Sequence, residues 1–168
     1  MHVVLDTSSL NHLVRRPRRR RSAAGSRWLL ETRLDEPMRQ RRIMIALDQT
    51  RGLLSEWEQT CGRGVVGPLL ARWESLQGIL LIDNLPCLDR RITRRLRSLG
   101  FQDTIDKVVL RLALAIDGRV VVSDDCDFWD PRKPTSRGDR NACVARLCRE
   151  QLSVTVMVLG MLVQRLDT

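Results

Sequence analysis

Residues 120–128 read Val-Val-Val-Ser-Asp-Asp-Cys-Asp-Phe, and this stretch decides the fold. Val120, Val121 and Val122 are β-branched with no polar position among them, the pattern of a strand buried on both faces. Strands of that kind belong to parallel sheets covered by helices. The run Ser123-Asp124-Asp125-Cys126-Asp127 follows at once, so the strand delivers carboxylates to its C-terminal end. In open α/β sheets ligands bind at that end.

The same order of elements recurs outward from this stretch. His2 to Leu5 is a short apolar run that ends in Asp6-Thr7-Ser8-Ser9, a second strand ending in an acid and followed by helix-capping residues. Ile43 to Leu47, closed by Asp48, reads as a third strand. Leu53, Leu54 and Trp57 give helical spacing around Glu56, with chain breaks expected at Gly62, Gly64 and Gly67-Pro68. Leu69 to Leu76 reads as helix, while Ile79 to Ile82 is apolar but too short to assign. Pro86 is expected to open a helix with Leu88, Ile92, Leu96 and Leu99 on its apolar face and Gly100 at its end. Asp103 caps the next helix, with Asp106 three residues on, and Val108 to Ile116 makes that helix a central one. Helix is expected again from Asn141 to Glu150, strand from Val154 to Val158, and a last helix to Leu166. A further helix is expected around Ser26 to Leu34, ending before Pro37. Strands alternating with helices predict one domain over residues 1–168, an α/β fold built as a three-layer α/β/α sandwich with a mostly parallel central sheet.

The 168 residues suffice for one full-sized domain, and 43% hydrophobic residues suffice for its core. The formal net charge is +9, carried almost wholly by arginine, with Lys107 and Lys133 the only lysines. A basic surface attracts polyanions, so nucleic acid is the leading partner class and an acidic protein the second. Aromatic content of 4% with no Tyr argues against an extended base-stacking platform. No membrane association is expected, since no apolar run approaches the roughly 20 residues of a spanning helix. Asp6 interrupts the run after Met1, so no secretory segment is expected either. Five cysteines without a C-x-x-C pair suggest reduced thiols in a cytoplasmic protein.

If the sheet is parallel, Asp6, Glu56, Asp106 and Asp125 converge from four separate segments. Carboxylates so close repel one another unless cations neutralise them. Oxygen-only sites suit Mg²⁺ or Mn²⁺ better than zinc. One or two such ions are expected, and two about 4 Å apart clamp a phosphodiester.

On these residues the chain resembles the PIN-domain nucleases over essentially its whole length. Val3-Val4-Leu5-Asp6-Thr7-Ser8 is similar to that family's opening motif, and Val121 to Phe128 to its closing one, an apolar strand, Ser or Thr, any residue, Asp, any residue, Asp, Phe. The resemblance implies metal ligation by Asp6, Glu56, Asp106 and Asp125, support from Asp127, and a Ser123 hydroxyl that orients the acids. Asp103 stands as the rival of Asp106, Glu58 and Asp48 as rivals of Glu56, and Asp124 as a neighbouring acid. It further implies a metal-dependent endoribonuclease acting on single-stranded RNA. Family members are often toxins of toxin–antitoxin pairs, homodimeric and restrained by an antitoxin or other regulatory protein. The competing expectation is a non-catalytic nucleic-acid-binding module of the same fold, controlled by a protein partner.

Each candidate has a plainer alternative. Asp6 and Asp103 stand where caps stand, Asp106 where a helix dipole favours an acid, and Glu56 where any exposed helical Glu does. For phosphate contact the candidates are the basic loop Arg15, Arg16, Arg18, Arg19, Arg20 and Arg21, followed by Arg132 and Lys133 beyond the closing motif. The tryptophans read as core anchors, with Trp129 the one candidate for stacking on a base. Cys126 lies inside the acidic motif with its side chain expected to point away.

Overall fold

The computed structural model describes residues 1–14 and 33–168. The chain order is β1 (His2–Leu5), α1 (Thr7–Val14), α2 (Asp35–Arg39), β2 (Met44–Asp48), α3 (Gly52–Cys61), α4 (Arg63–Ser75), β3 (Ile79–Ile82), α5 (Arg90–Ser98), α6 (Thr104–Ala115), β4 (Val120–Val122), α7 (Cys143–Leu152), β5 (Thr155–Met157) and α8 (Leu159–Leu166). The five strands form one sheet in the order β3-β2-β1-β4-β5, and every neighbouring pair is parallel. The expected α/β/α sandwich is the observed architecture, with a sheet that is wholly parallel.

Burial explains why these runs form the sheet. Val3, Val4, Leu5, Ile45, Ala46, Val121 and Val122 are fully buried, so their strands need apolar cover on both faces. α6 packs across β1, β2 and β4, and its Val109, Leu110, Leu112 and Ala113 are fully buried. On α3 and α4, Trp57 and Trp73 meet edge to face, their ring centroids 6.5 Å apart. α2 is tied to α4 by an ion pair between Arg72 and the buried Asp35.

Several expected boundaries move, each for a local reason. The helix expected from Pro86 begins at Arg90, because the Asp89 carboxylate accepts the amides of Arg91 and Ile92 and so caps it there. Of the breaks expected between Gly62 and Pro68, only Gly62 interrupts the chain, with φ +89°. Gly64 and Gly67-Pro68 lie inside α4, where Val66, Leu69 and Trp73 bury one face and hold the helix together across the proline. Pro37 sits in the first turn of a separate short helix, α2, where no amide donor is required. Ile79 to Ile82, undecided from sequence, is the edge strand β3, and Leu81 on it is 59% exposed. The basic loop from Arg15 to Arg21, and most of the helix expected at 26–34, lie outside the described residues. Among the described residues no helix is long and apolar enough to cross a membrane.

Candidate acidic cleft

Strand order fixes where a site can form. From β1 the chain builds outward through β2 to β3, then returns to the other side of β1 as β4 and β5. The order therefore reverses between β1 and β4, and a crevice opens there at the strands' C-terminal ends. Leu5 pairs with Val122, so Asp6 and Ser123 leave the sheet side by side. The Asp6 amide still donates to the Val122 carbonyl at 2.9 Å.

That crevice is a cleft of about 320 Å³ lined by Asp6, Thr7, Ser8, Asn11, Glu56, Thr60, Asp103, Ile105, Asp106, Asp125 and Asp127. Six of these eleven carry carboxylates and none is basic. Asp6 comes from the turn between β1 and α1, Asn11 from the second turn of α1, Glu56 from α3, Asp103 and Asp106 from the start of α6, and Asp125 and Asp127 from the segment after β4. All four acids expected to lead the site are thus brought together. The volume equals that of on the order of ten waters at ~30 Å³ each, enough for hydrated ions beside a phosphate group.

Asp6 is the most rigidly held. It is 4% exposed, and its Oδ2 accepts the Ser8 hydroxyl at 2.6 Å and the Ser123 hydroxyl at 2.8 Å. Ser123 Oγ also accepts the Asp125 amide at 3.1 Å, so one buried hydroxyl aligns both strand-end acids. Burial raises the Asp6 carboxyl above its ordinary value, against the lowering pull of the two hydroxyls. Asp106 is 9% exposed, and no side chain or amide donates to it. Its carboxyl is pushed up to about 8, first by burial and then by the charges of Asp6, Asp103, Asp127 and Asp125. Asp127 moves the same way, through burial and Asp125. The helix N-termini of α1 and α6 relieve some of this crowding of negative charge.

The donor set could hold a metal cation. It is rich in carboxylate oxygen, no arginine or lysine stands among its described lining residues, and the buried Thr7 hydroxyl lacks a hydrogen-bond partner. At its mouth, Asp125, Cys126 and Asp127 place two carboxylate oxygens and a sulfur within 4.8 Å of one another, close enough to share one metal ion. Cys126 therefore turns toward the acids, and its thiol lies 3.7 Å from Asp127 Oδ1.

The rival residues separate clearly. Asp48 is buried at the end of β2 and caps α3, accepting the Thr50 hydroxyl, the Gly52 amide at 2.7 Å and the Leu53 amide at 3.0 Å. Burial raises its carboxyl, but those donors outweigh burial and leave it below the ordinary value. Glu58 pairs with Arg51 and Arg63. Neither lines the cleft, so Glu56 is the α3 acid that reaches it, its Oε1 accepting the Thr60 hydroxyl at 3.2 Å. Asp103 caps α6 through the Ile105 amide at 2.6 Å and lines the cleft as well. Asp124 is turned elsewhere, its Oδ2 bound by the Ser9 hydroxyl at 2.6 Å and the Leu159 amide at 3.3 Å. Trp129 is fully buried and donates its indole N–H to the Ser123 carbonyl at 3.2 Å, so it braces the acid loop and cannot stack on a base. Arg132 spends its guanidinium on the Ser98 carbonyl at 2.6 Å, while Lys133 is exposed.

Thr7, Ser8, Thr60, Ile105 and Asn11 also line the cleft and were not among the site residues expected from sequence; the most informative is Asn11. It lies four residues after Thr7 on α1 and so shares its face, a signal readable once Thr7 is placed at the cleft. Replacing Asp48 by Ala is expected to lower the melting temperature by several degrees through loss of the α3 cap, while the affinity of the folded protein for Mn²⁺ stays within a few-fold. Glu58→Gln should change neither. Thermal melts beside Mn²⁺ titrations check both variants, and a large loss of affinity in either would return that residue to the candidate ligands.

No family model matches the chain, and no curated protein or solved structure compared with it matches either.

Proposed function

We propose that the chain is a divalent-metal-dependent endonuclease of the PIN-like kind, hydrolysing phosphodiester bonds in single-stranded RNA. The observation that carries this reading is the cleft at the β1–β4 switch point, where six of the eleven described lining residues carry carboxylates and none of the eleven is basic. Asp6, Asp106 and Asp125 are the residues that would hold Mg²⁺ or Mn²⁺, with Glu56 and Asp127 completing the oxygen donors. When bound, such an ion supplies Lewis-acid polarisation of a phosphoryl oxygen and acidifies the attacking water.

The chain's own contribution is positional. Ser8 and Ser123 fix the Asp6 carboxylate, and Ser123 sets Asp125 through its amide. Asn11 offers amide N–H donors, which suit a phosphate oxygen in a cleft otherwise made of acceptors. The net charge of +9 concentrates a polyanion around a cleft that would itself repel it.

Incubating the purified chain with labelled single-stranded RNA tests this reading. Cleavage is expected with Mn²⁺ or Mg²⁺ and none with a chelator. If neither metal yields cleavage of RNA or DNA, hydrolysis is excluded. Salt-sensitive binding that ignores the chelator would then support the non-catalytic module controlled by a protein partner.

A further inference from the structure

α5 carries five arginines in nine residues, Arg90, Arg91, Arg94, Arg95 and Arg97, and no acid within it. Ile92 and Leu96 turn toward the protein, with Leu96 fully buried. At 100° per residue Arg90, Arg94 and Arg97 then form one stripe facing away from the core, and Arg91 and Arg95 form a second stripe along one flank. All five are exposed, and no carboxylate or carbonyl engages any of their guanidinium groups. Like charges three and four residues apart on a helix are unfavourable. Arg90–Arg94, Arg91–Arg94, Arg91–Arg95 and Arg94–Arg97 are all such pairs. Among the described residues no acid pairs with any of them, so a polyanion outside the fold is the natural counterpart.

The helix is also fixed beside the acidic cleft. Arg111 of α6 donates to the Pro86 carbonyl at 2.8 Å and the Leu85 carbonyl at 3.0 Å, holding the segment that enters α5. Arg132, just past the acid loop, holds the Ser98 carbonyl at its exit. Phe101 and Phe128 then join the segment after α5 to the acid loop itself, edge to face with centroids 5.1 Å apart. Two arginines from elsewhere are thus spent on anchoring α5, and its own five are left outward.

We propose that α5 is a docking track for the phosphate backbone of a nucleic-acid strand, with Arg90, Arg94 and Arg97 as the central contacts and Arg91 and Arg95 beside them. The track deepens the nuclease reading by saying how a strand is held next to the acids, and rests on that reading only for the strand's being a substrate. Phosphate contacts of this kind position a strand without reading its sequence.

Fluorescence anisotropy with a short labelled RNA, and with DNA of the same sequence, tests the track in chelator, where no cleavage interferes. The triple variant Arg90→Gln, Arg94→Gln, Arg97→Gln is compared with Arg39→Gln, Arg149→Gln, Arg165→Gln, which removes the same charge from three other helices. The α5 triple is expected to bind at least about tenfold more weakly at low salt, and its slope of log affinity against log salt should shrink by about 2, at ~0.7 per lost contact. Its melting temperature should be unchanged or higher, since repulsion is relieved. Equal losses in the two triples would reduce the effect to net charge and overturn the track. Unchanged binding in the α5 triple would overturn it too, as would a wild type that binds poly-glutamate but neither strand. The nuclease reading fails separately: a wild type that binds through α5 but cleaves nothing with Mn²⁺ sinks hydrolysis and leaves the track standing.

Discussion

Replacing Asp106 by Asn is expected to cut Mn²⁺-dependent RNA cleavage by roughly a thousandfold or more, and at the same time to raise the melting temperature of the metal-free protein. The two effects share one cause. Asp106 is buried, unbonded and ringed by Asp6, Asp103, Asp127 and Asp125, so its negative charge is unfavourable without a cation. Asn keeps the shape and discards the charge. The fold loses a repulsion, and the cleft loses an anionic oxygen that an ion would need. Residues that merely support a ligand typically cost 10–100-fold when lost, so a ligand should exceed about 100-fold. Initial rates and calorimetric melts on the same preparation check the pair of effects. A variant that keeps activity within about tenfold would remove Asp106 from the reaction. One that melts lower than wild type in chelator would show that the burial cost assigned here is absent.

A second large effect is expected in the pH dependence of stability. In the unfolded chain the Asp106 carboxyl titrates near 3.8, whereas in the fold it is pushed up to about 8. A folded value above the unfolded one means that the native state binds the proton more tightly. Full stability therefore belongs to pH below the unfolded value and declines as pH rises toward 8. Asp6 and Asp127 shift in the same direction and deepen the decline. Asp48 shifts oppositely, so its contribution is present above the ordinary carboxylate range and disappears as pH falls through its lowered value. In chelator the melting temperature should fall from about pH 5 to pH 8. Saturating Mn²⁺ should restore it most at the alkaline end. Ligand at 100 times its dissociation constant contributes about 2.7 kcal/mol, or roughly 5–10 °C for a domain of this size. A flat profile in chelator, or a metal effect equal at pH 5 and pH 8, would contradict this electrostatic account.

Much of the framework could be read from the chain because its strands are simple. Val120 to Val122 and His2 to Leu5 are buried on both faces, and a buried parallel strand leaves an uninterrupted apolar run. Asp6 and Asp125 followed directly, since each comes after the last residues of a strand. β3 was less legible because an edge strand is only partly covered, and Ile79 to Ile82 carries no alternation to mark it. The choice among Glu56, Glu58 and Asp48 needed tertiary structure. All three lie near the second strand, and only the packing of α3 against α1 and α6 shows which one meets the cleft. Boundary errors at Pro68 and Pro86 share one origin: a proline was read as punctuation where a buried face or a side-chain cap set the helix. The arginines of α5 went unremarked beside the denser run at Arg15 to Arg21, because clustering along the chain is easier to see than clustering on a helix surface.

Asp6 and Ser123 directly follow the adjacent inner strands β1 and β4, which governs how the cleft comes apart. β1 and β4 are flanked on either side by β2 and β5, so their amides are shielded from the fraying that begins at sheet margins. Opening events of low free energy reach the margins first, and the innermost strands open only with the whole molecule. The cleft's hinge of Asp6, Ser8 and Ser123 belongs to that last unit. Mild denaturant should therefore leave the acids assembled until global unfolding, with little room for a partly unfolded state that keeps its core and has lost its cleft.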